Sequence, residues 1–274
     1  MFLSLTSWSF PSCTVEEAAG ISKALGINAL DVSTKRRPGL DKEQILADPK
    51  AAAERVKALG VTVPNYFHHF GESLPERNLA LPGTIDANAR DLEKVLMFAD
   101  AADIATVFFV PGIINPGQSR RQALDVSVES IKVLLEVSQS FKSEICVEPI
   151  IRSYAESPAI VQELIDRTGI RLALDYSHFI CLGYTQEQFD SFCAHAAHVH
   201  LRQARMGELQ AKFTKGSINF PAVFAALRDA NYIGALAIEY VYQDFMNAYS
   251  DDVMTETVSM RDCFNEWMGL PPSP

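Results

Sequence analysis

Short runs of β-branched and apolar residues alternate along the whole chain with segments of helical periodicity. Eight of these runs are predicted strands, at residues 2–7, 27–32, 61–66, 105–110, 144–148, 171–175, 195–200 and 235–239. A helix or a long loop follows each run, and strict alternation of this kind requires a parallel sheet. Eight such units within 274 residues are what a (β/α)8 barrel needs. We therefore predict the α/β fold class, with a single (β/α)8 TIM barrel as the one domain of residues 1–274.

An open, doubly wound parallel sheet is the alternative that the same alternation allows. Nucleotide-binding versions of that fold carry a GxGxxG turn after the first strand or a GxxxxGK[ST] loop. The sequence contains neither motif. No Ser/Gly-rich linker or low-complexity run marks a boundary between two domains. These observations favour the closed barrel.

The net charge and the cysteine pattern limit the kinds of binding partner and the cellular compartment that we expect for this protein. The chain has 34 Asp and Glu against 24 Lys and Arg, a net charge of −10, which repels nucleic acid and anionic membranes. The longest apolar stretch, residues 105–114, is too short to span a bilayer. The N-terminal sequence MFLSLTSWSF lacks the basic region of a signal peptide. Five cysteines without a CxxC pair indicate free thiols, so we expect a cytoplasmic protein without nucleic-acid or membrane partners.

The residues that end the last four predicted strands are Glu148, Asp175, His200 and Glu239. In a (β/α)8 barrel, side chains at the carboxyl ends of the strands converge on the active site. The three carboxylates of this set would repel one another without a cation. Such an oxygen-rich set suits one divalent cation in octahedral geometry, Mn²⁺ or Mg²⁺ first and Co²⁺ or Zn²⁺ as alternatives.

Three sequence segments, LALDYSH, HVHLRQAR and GSINFPAVFAALRDANYIGALAIEY, together resemble the last three units of the xylose-isomerase-like TIM-barrel family. That family includes keto-sugar epimerases, hydroxypyruvate isomerase and inosose dehydratase, with endonuclease IV as a DNA-cleaving branch. The resemblance implies that Glu148, Asp175, His200 and Glu239 are metal ligands, in agreement with the strand-end argument. It also implies that His178 and Arg205 hold substrate oxygens.

The chemistry that this resemblance implies is proton transfer next to a carbonyl group. A cation polarises the carbonyl of a keto-sugar or polyol ketone, which makes the neighbouring C–H acidic and gives a cis-enediolate. Glu148 and Glu239 are predicted to share the roles of base and acid. Return of the proton to the same carbon is epimerisation, and return to the neighbouring carbon is isomerisation.

The sequence departs from the family's pattern at four positions. Ile151 and Tyr154 stand where the epimerases have Asn and Glu, and Arg202 and Gln203 replace a frequent Lys-Asp pair. The ligand set is therefore kept, while part of the substrate-contacting set differs. The departures concern the identity of the substrate rather than the class of reaction.

Several other residues are candidates for the barrel mouth. His68 and His69 end the third strand, so one of them, taken as His69, points into the mouth and the other points outward. Trp8 either forms an apolar wall for a sugar face or packs in the core. His198 is interpreted as a hydrogen-bonded core residue, and residues 35–37 as a solvated basic loop rather than a phosphate site.

Two further enzyme classes remain as alternatives to a sugar isomerase or epimerase. A dehydratase performs the same enolisation and then expels a β-hydroxyl group. An endonuclease IV-like repair enzyme needs many His ligands for three zinc ions, and this chain has only six His in all. The predicted partner is a small sugar or polyol ketone, and by analogy the chain forms a homo-oligomer, a dimer or a tetramer.

Overall fold

The chain folds into a closed barrel of eight parallel strands, which a computed structural model describes over residues 1–34, 39–242 and 252–271. The strands are β1 Phe2–Thr6, β2 Leu30–Ser33, β3 Asn65–Phe67, β4 Thr106–Phe109, β5 Glu144–Val147, β6 Arg171–Asp175, β7 Ala196–Leu201 and β8 Ala235–Ile238. Strand β1 closes the barrel by pairing with β8, from Phe2 opposite Ala235 to Leu5 opposite Ile238. The closed order confirms the predicted (β/α)8 barrel and excludes the doubly wound sheet.

Helices connect the strands on the outside of the barrel. They are α1 Val15–Ala24, α2 Lys42–Ala47, α3 Pro49–Lys57, α4 Ile85–Ala101, α5 Arg120–Ser138, α6 Pro158–Thr168, α7 Ser177–Ile180, α8 Phe220–Asp229 and α9 Val253–Met268. Short 3-10 segments lie at Ser7–Ser9, Gln186–Gln188, Asp190–His195 and Phe213–Lys215. Thr14 and Glu17 form the capping box that their spacing predicts for α1. No helix among the described residues is both long and apolar enough to cross a membrane.

Two strands begin three or four residues later than the sequence pattern predicts. Strand β2 begins at Leu30 rather than at residue 27, because Asn28 has a left-handed backbone with φ of 51°. Strand β3 begins at Asn65 rather than at residue 61, directly after Pro64, which has no N–H to donate to a neighbouring strand. The basic residues 35–37 lie outside the described residues.

The interior of the barrel contains a polar layer around the buried carboxylate of Asp31. Ser4 Oγ donates to Asp31 Oδ1 at 2.6 Å, and Asn65 Nδ2 donates to Asp31 Oδ2 at 3.0 Å. His198 Nε2 lies 2.7 Å from the same Oδ2. This contact agrees with the interpretation of His198 as a polar core residue. The ring of His198 packs edge-on against the ring of His200, the next inward residue of β7, with the ring centres 5.1 Å apart.

Candidate active site

Four consecutive strands bring Glu148, Asp175, His200 and Glu239 together at the carboxyl end of the barrel. Asp175 and His200 lie within β6 and β7, whereas Glu148 and Glu239 directly follow β5 and β8. Each offers one potential ligand atom, and these atoms all lie within 4.8 Å of one another. All four side chains are buried. The barrel therefore assembles the set that the sequence predicts from strand ends.

The internal contacts of this set leave two buried polar atoms without a hydrogen bond. His200 Nδ1 lies 2.6 Å from Glu148 Oε1 and 3.6 Å from Glu239 Oε2. Within the described residues, Glu239 Oε2 and His200 Nε2 have no hydrogen-bond partner although both atoms are buried. Burying a carboxylate oxygen without a partner is costly. A divalent cation bound by these side chains would supply the missing partner of Glu239, so the residues present fit a metal site.

The electrostatics of the set also fit a cation. Burial acts to lower the pKa of His200, but the carboxylates of Glu239 and Glu148 outweigh it and raise that pKa to about 10. Burial acts to raise the pKa of Asp175, but the charge of Arg202 outweighs it and the pKa is lowered. The charge and hydrogen bond of His200 likewise outweigh burial and lower the pKa of Glu148, so Asp175 and Glu148 favour their ionised forms and draw positive charge toward themselves. Carboxylate oxygens and one imidazole are ligands suited to a hard or borderline divalent cation.

A neutral imidazole and a guanidinium lie beside the carboxylates. The N–H of Ile151 donates to His178 Nδ1 at 3.3 Å. Burial lowers the pKa of His178, which keeps its ring neutral near neutral pH. Arg202 Nη2 lies 3.0 Å from His178 Nε2, and both nitrogens face Asp175 Oδ2, at 2.7 Å and 3.6 Å. The guanidinium of Arg202 and the ring of His178 therefore meet next to the carboxylate set.

The indole of Trp8 connects β1 to the last member of the set. Trp8 Nε1 donates a hydrogen bond to Glu239 Oε1 at 2.6 Å. The ring also packs against Phe67 and edge-on against His200, with ring centres 5.8 Å and 6.1 Å apart. Trp8 therefore both orients one carboxylate and forms part of an apolar wall. The bond leaves Glu239 Oε2 as the atom directed toward the other ligands.

The two adjacent histidines after β3 point in opposite directions, as alternation along a strand predicts. His69 lines the cavity above the carboxylate set and packs on Phe67, with ring centres 4.5 Å apart. His68 is fully buried against Tyr66 and Phe70, and this burial lowers its pKa to about 3. His69 is thus the one of the pair that can meet a ligand.

The cavity at the carboxyl end has a volume of about 1020 Å³. Its inner part is lined by Glu148, Glu239, His178 and Arg202, together with Trp8, Phe67, His69, Val110, Ile150, Ile151, Leu209 and Val241. Its outer part extends over the loops that follow β2 and β3. Clefts of this size with a few convergent polar groups are typical of small-molecule sites.

The sequence matches the family of xylose isomerase-like TIM barrels over residues 20–260. The chain belongs to the xylose isomerase-like TIM barrel family. The 2-oxo-tetronate isomerase of Pectobacterium atrosepticum is 23% identical over 176 residues, which cover 59% of this chain and 64% of that enzyme. The match thus spans less than two thirds of the length of this curated relative.

Solved structures of this family superpose on nearly the whole chain. A D-tagatose 3-epimerase-like protein gives a TM-score of 0.74 at 16% identity, covering 98% of this chain and 97% of its own. The IOLI protein with a bound zinc atom gives a TM-score of 0.70 at 11% identity, covering 98% of both chains. At such identities these structures establish a common fold and nothing finer.

The structure does not place Arg205 where the family resemblance predicts a contact with substrate. Arg205 is half exposed, pairs with Glu208 and is absent from the described cavity lining. Its backbone N–H also bonds to Glu208 O at 3.1 Å, because the chain turns back through Gly207, which has a positive φ of 80°. Arg202 instead occupies the cavity. Its position follows from strand parity, since residues 198, 200 and 202 share one face of β7 and its extension.

Only one of the two family departures after β5 lies in the cavity. Ile151 lines the inner part, next to Leu209. Tyr154 is fully buried and its hydroxyl donates to Ser127 Oγ of α5 at 2.8 Å. Tyr154 therefore packs the loop after β5 against α5, whereas Ile151 makes the wall of the xylose isomerase-like site more apolar.

Proposed function

We propose that this protein is a divalent-metal-dependent isomerase or epimerase of a keto-sugar or related polyhydroxy ketone, acting through a cis-enediolate. The observation that carries the proposal is the convergence of Glu148, Asp175, His200 and Glu239 beside a large cavity, which Glu148 and Glu239 line. Membership of a family whose relatives include sugar isomerases and epimerases supports the same class of reaction.

Glu148, Asp175, His200 and Glu239 would hold the cation, for which Mn²⁺ and Mg²⁺ are the first candidates. When bound, the cation acts as a Lewis acid on the substrate carbonyl. The absence of a hydrogen bond at the buried Glu239 Oε2, within the described residues, is the structural reason to expect a positive ion there. A bound zinc atom in the IOLI protein adds support for a metal in this fold.

The proton-transfer steps fall to Glu148 and Glu239, which both line the cavity. One carboxylate removes the proton from the carbon next to the carbonyl, and the C–H electron pair forms the double bond of the enediolate. For epimerisation, the other carboxyl group, which carries a proton before this step, gives that proton to the same carbon from the opposite face. For isomerisation the proton goes to the former carbonyl carbon, while the proton of the neighbouring hydroxyl moves to the former carbonyl oxygen. The hydrogen bond from Trp8 fixes the orientation of Glu239 during these steps.

His178 and Arg202 would stabilise the negative charge that develops on the enediolate oxygens. Arg202 presents an N–H at the edge of the carboxylate set, His178 Nε2 lies 3.0 Å from Arg202 Nη2, and both side chains line the cavity. Fixed donors aimed at developing charge are worth roughly 10²–10³ in turnover each. We assign to Arg202 the role that the sequence resemblance gave to Arg205.

The test is proton exchange with solvent. We expect the Mn²⁺-loaded protein, incubated with a panel of ketoses and keto-polyols in deuterated water, to incorporate deuterium next to the carbonyl of its substrate, followed by NMR. Glu239→Gln should abolish this exchange while the far-UV circular dichroism spectrum stays unchanged. A surface control, Glu208→Gln, should retain it. Full exchange in Glu239→Gln would exclude the two-carboxylate mechanism, and loss of water after exchange would identify a dehydratase.

A further inference from the structure

Two carboxylates of the proposed ligand set, Asp175 and Glu239, each have one oxygen held by a donor within the barrel. The backbone N–H of Ser177 donates to Asp175 Oδ1 at 2.8 Å. Trp8 Nε1 donates to Glu239 Oε1 at 2.6 Å. Asp175 Oδ2 and Glu239 Oε2 are the oxygens that remain, so a cation bound by this set would draw on these two atoms.

The guanidinium of Arg202 already reaches both of the remaining oxygens. Its Nη2 donates to Asp175 Oδ2 at 2.7 Å and lies 3.5 Å from Glu239 Oε2. Its Nε donates to Ser177 Oγ at 2.8 Å, so the planar group is held at two points. All three charged side chains are buried, and water therefore screens their charges little. A cation of the chain itself thus lies at the oxygens that a metal ion would need.

We propose that Arg202 is a resident cation of the ligand set, which compensates Asp175 and Glu239 in the metal-free protein and competes with the divalent cation for their oxygens. This inference rests on the proposed function, because it concerns the metal of that site. A guanidinium and a divalent cation that share one buried pair of carboxylates repel each other. The affinity for the metal is therefore lower than the four ligands alone would give, and metal binding displaces Nη2 from Asp175 Oδ2.

The cavity gives the displaced guanidinium a second place to bind. Arg202 lines the cavity, and its Nη2 lies 3.0 Å from Nε2 of His178, which lines the cavity as well. A guanidinium released from Asp175 can donate to substrate oxygens there, which is the role proposed for Arg202 in catalysis. The two roles follow one another. Arg202 is the partner of Asp175 before the metal binds and the partner of substrate oxygens afterwards.

The first experiment measures the dissociation constant of Mn²⁺ in the absence of substrate, from the electron paramagnetic resonance of free Mn²⁺. We expect Arg202→Met to bind Mn²⁺ roughly tenfold or more tightly than the parent protein, because the repelling charge is gone. Arg202→Lys keeps the charge on a flexible stem without the two-point hold, so its constant should lie between these two. Arg167→Met removes a guanidinium paired with Asp125 on the surface and should stay within about threefold of the parent.

A second measurement uses the parent protein alone, so it does not depend on the folding of a variant. In protein labelled with ¹⁵N-arginine, the Arg202 side chain is assigned by NMR through its nuclear Overhauser effects to Ser177. Saturating Mg²⁺, which is diamagnetic, should shift the Nη resonances of Arg202 and speed the exchange of their protons with water. The side chain of Arg261 is also buried and pairs with Asp262 at 2.8 Å, far along the chain in α9, and its resonances should not change.

The outcomes separate this inference from the proposed function. Mn²⁺ binding in folded Arg202→Met that is equal to or weaker than in the parent overturns the competition and leaves the metal-dependent isomerase standing. Arg202 resonances that saturating Mg²⁺ leaves unchanged do the same, and they decide the question if circular dichroism shows that Arg202→Met does not fold. Absence of Mn²⁺ binding in the parent and in both Arg202 variants overturns the metal site of the proposed function together with this inference.

Discussion

The buried guanidinium of Arg202 gives the sharpest quantitative test of the site. Arg202 donates to Asp175 Oδ2 at 2.7 Å and to Ser177 Oγ at 2.8 Å, and its Nη2 lies 3.5 Å from Glu239 Oε2. Arg202→Met keeps a side chain of similar length and removes the charge. Asp175 then loses its cationic partner in a place that water scarcely reaches, since Arg202 and Asp175 are 4% and 1% exposed.

The size of the effect follows from this burial. Removing one partner of a buried ion pair costs roughly 3–5 kcal/mol, because the remaining charge stays buried without compensation. We expect the metal-free variant to lose about that much of its free energy of unfolding, a large part of the roughly 5–15 kcal/mol typical of a folded domain. Mn²⁺ should restore part of the loss, since a cation between Asp175 and Glu239 replaces the missing positive charge.

The assay is urea unfolding of the metal-free and Mn²⁺-loaded proteins, followed by circular dichroism. Arg167→Met is the matched control, because Arg167 forms an ion pair of 2.7 Å with Asp125 on the surface and such pairs are worth about 1 kcal/mol or less. A loss in metal-free Arg202→Met no larger than in this control would refute the reasoning. So would a Mn²⁺-induced stabilisation smaller in the variant than in the parent protein.

Three further predictions concern residues around the same barrel. Arg205→Ala should change kcat/KM for any substrate less than about threefold, because substitutions of exposed side chains away from the site have small effects. Arg202→Met should instead lower turnover roughly 10²–10³-fold. A large loss of activity in Arg205→Ala would support the substrate contact that the family pattern predicts for Arg205. His200→Ala should lower the bound Mn²⁺ per chain in metal analysis of the dialysed protein, and an unchanged content would remove His200 from the ligand set. Burial holds the pKa of His68 at about 3, below the value of roughly 6.5 in the unfolded chain. Between about pH 3 and pH 6.5 the unfolded state therefore binds a proton that the folded state does not. The free energy of unfolding thus falls as the pH drops below about 6.5. We expect His68→Gln to reduce this acid-side slope by up to about 1.4 kcal/mol per pH unit in urea titrations at several pH values; identical slopes would contradict a neutral, buried His68.

The strand ends were predictable from the sequence because a short apolar run indicates a strand and the ionisable residue that follows it marks where the strand ends. Glu148 and Glu239 follow their strands directly, and Asp175 ends β6, so the proposed ligand set needed no knowledge of three-dimensional contacts. Strand onsets were less accurate. Residues 27–29 and 61–64 look like strand, but the left-handed Asn28 and the missing N–H of Pro64 delay the strands.

Arg202 and Trp8 show why contacts of the site were harder to predict than its ligands. Arg205 matched a family motif, yet the direction of a side chain after β7 depends on where the loop turns, here between Arg205 and Glu208. Continuing the parity of His198 and His200 by one step points to Arg202. The bond from Trp8 to Glu239 joins residues 231 positions apart, and no local pattern reports such a contact.

The polar layer around Asp31 has a consequence for strand alignment. Its carboxylate on β2 contacts Ser4 of β1, Asn65 of β3 and His198 of β7, so three other strands are fixed to one point. A slip of any of these strands by one residue would turn its polar side chain to the opposite face and leave a buried charge unpaired. His200 lies two residues beyond His198 on the same face of β7. The contact between His198 and Asp31 therefore also fixes the position of His200 along the barrel axis, and with it the position of His200 in the proposed ligand set. Substitutions at Ser4 or Asn65, which touch no substrate, should therefore shift metal affinity by misaligning β7.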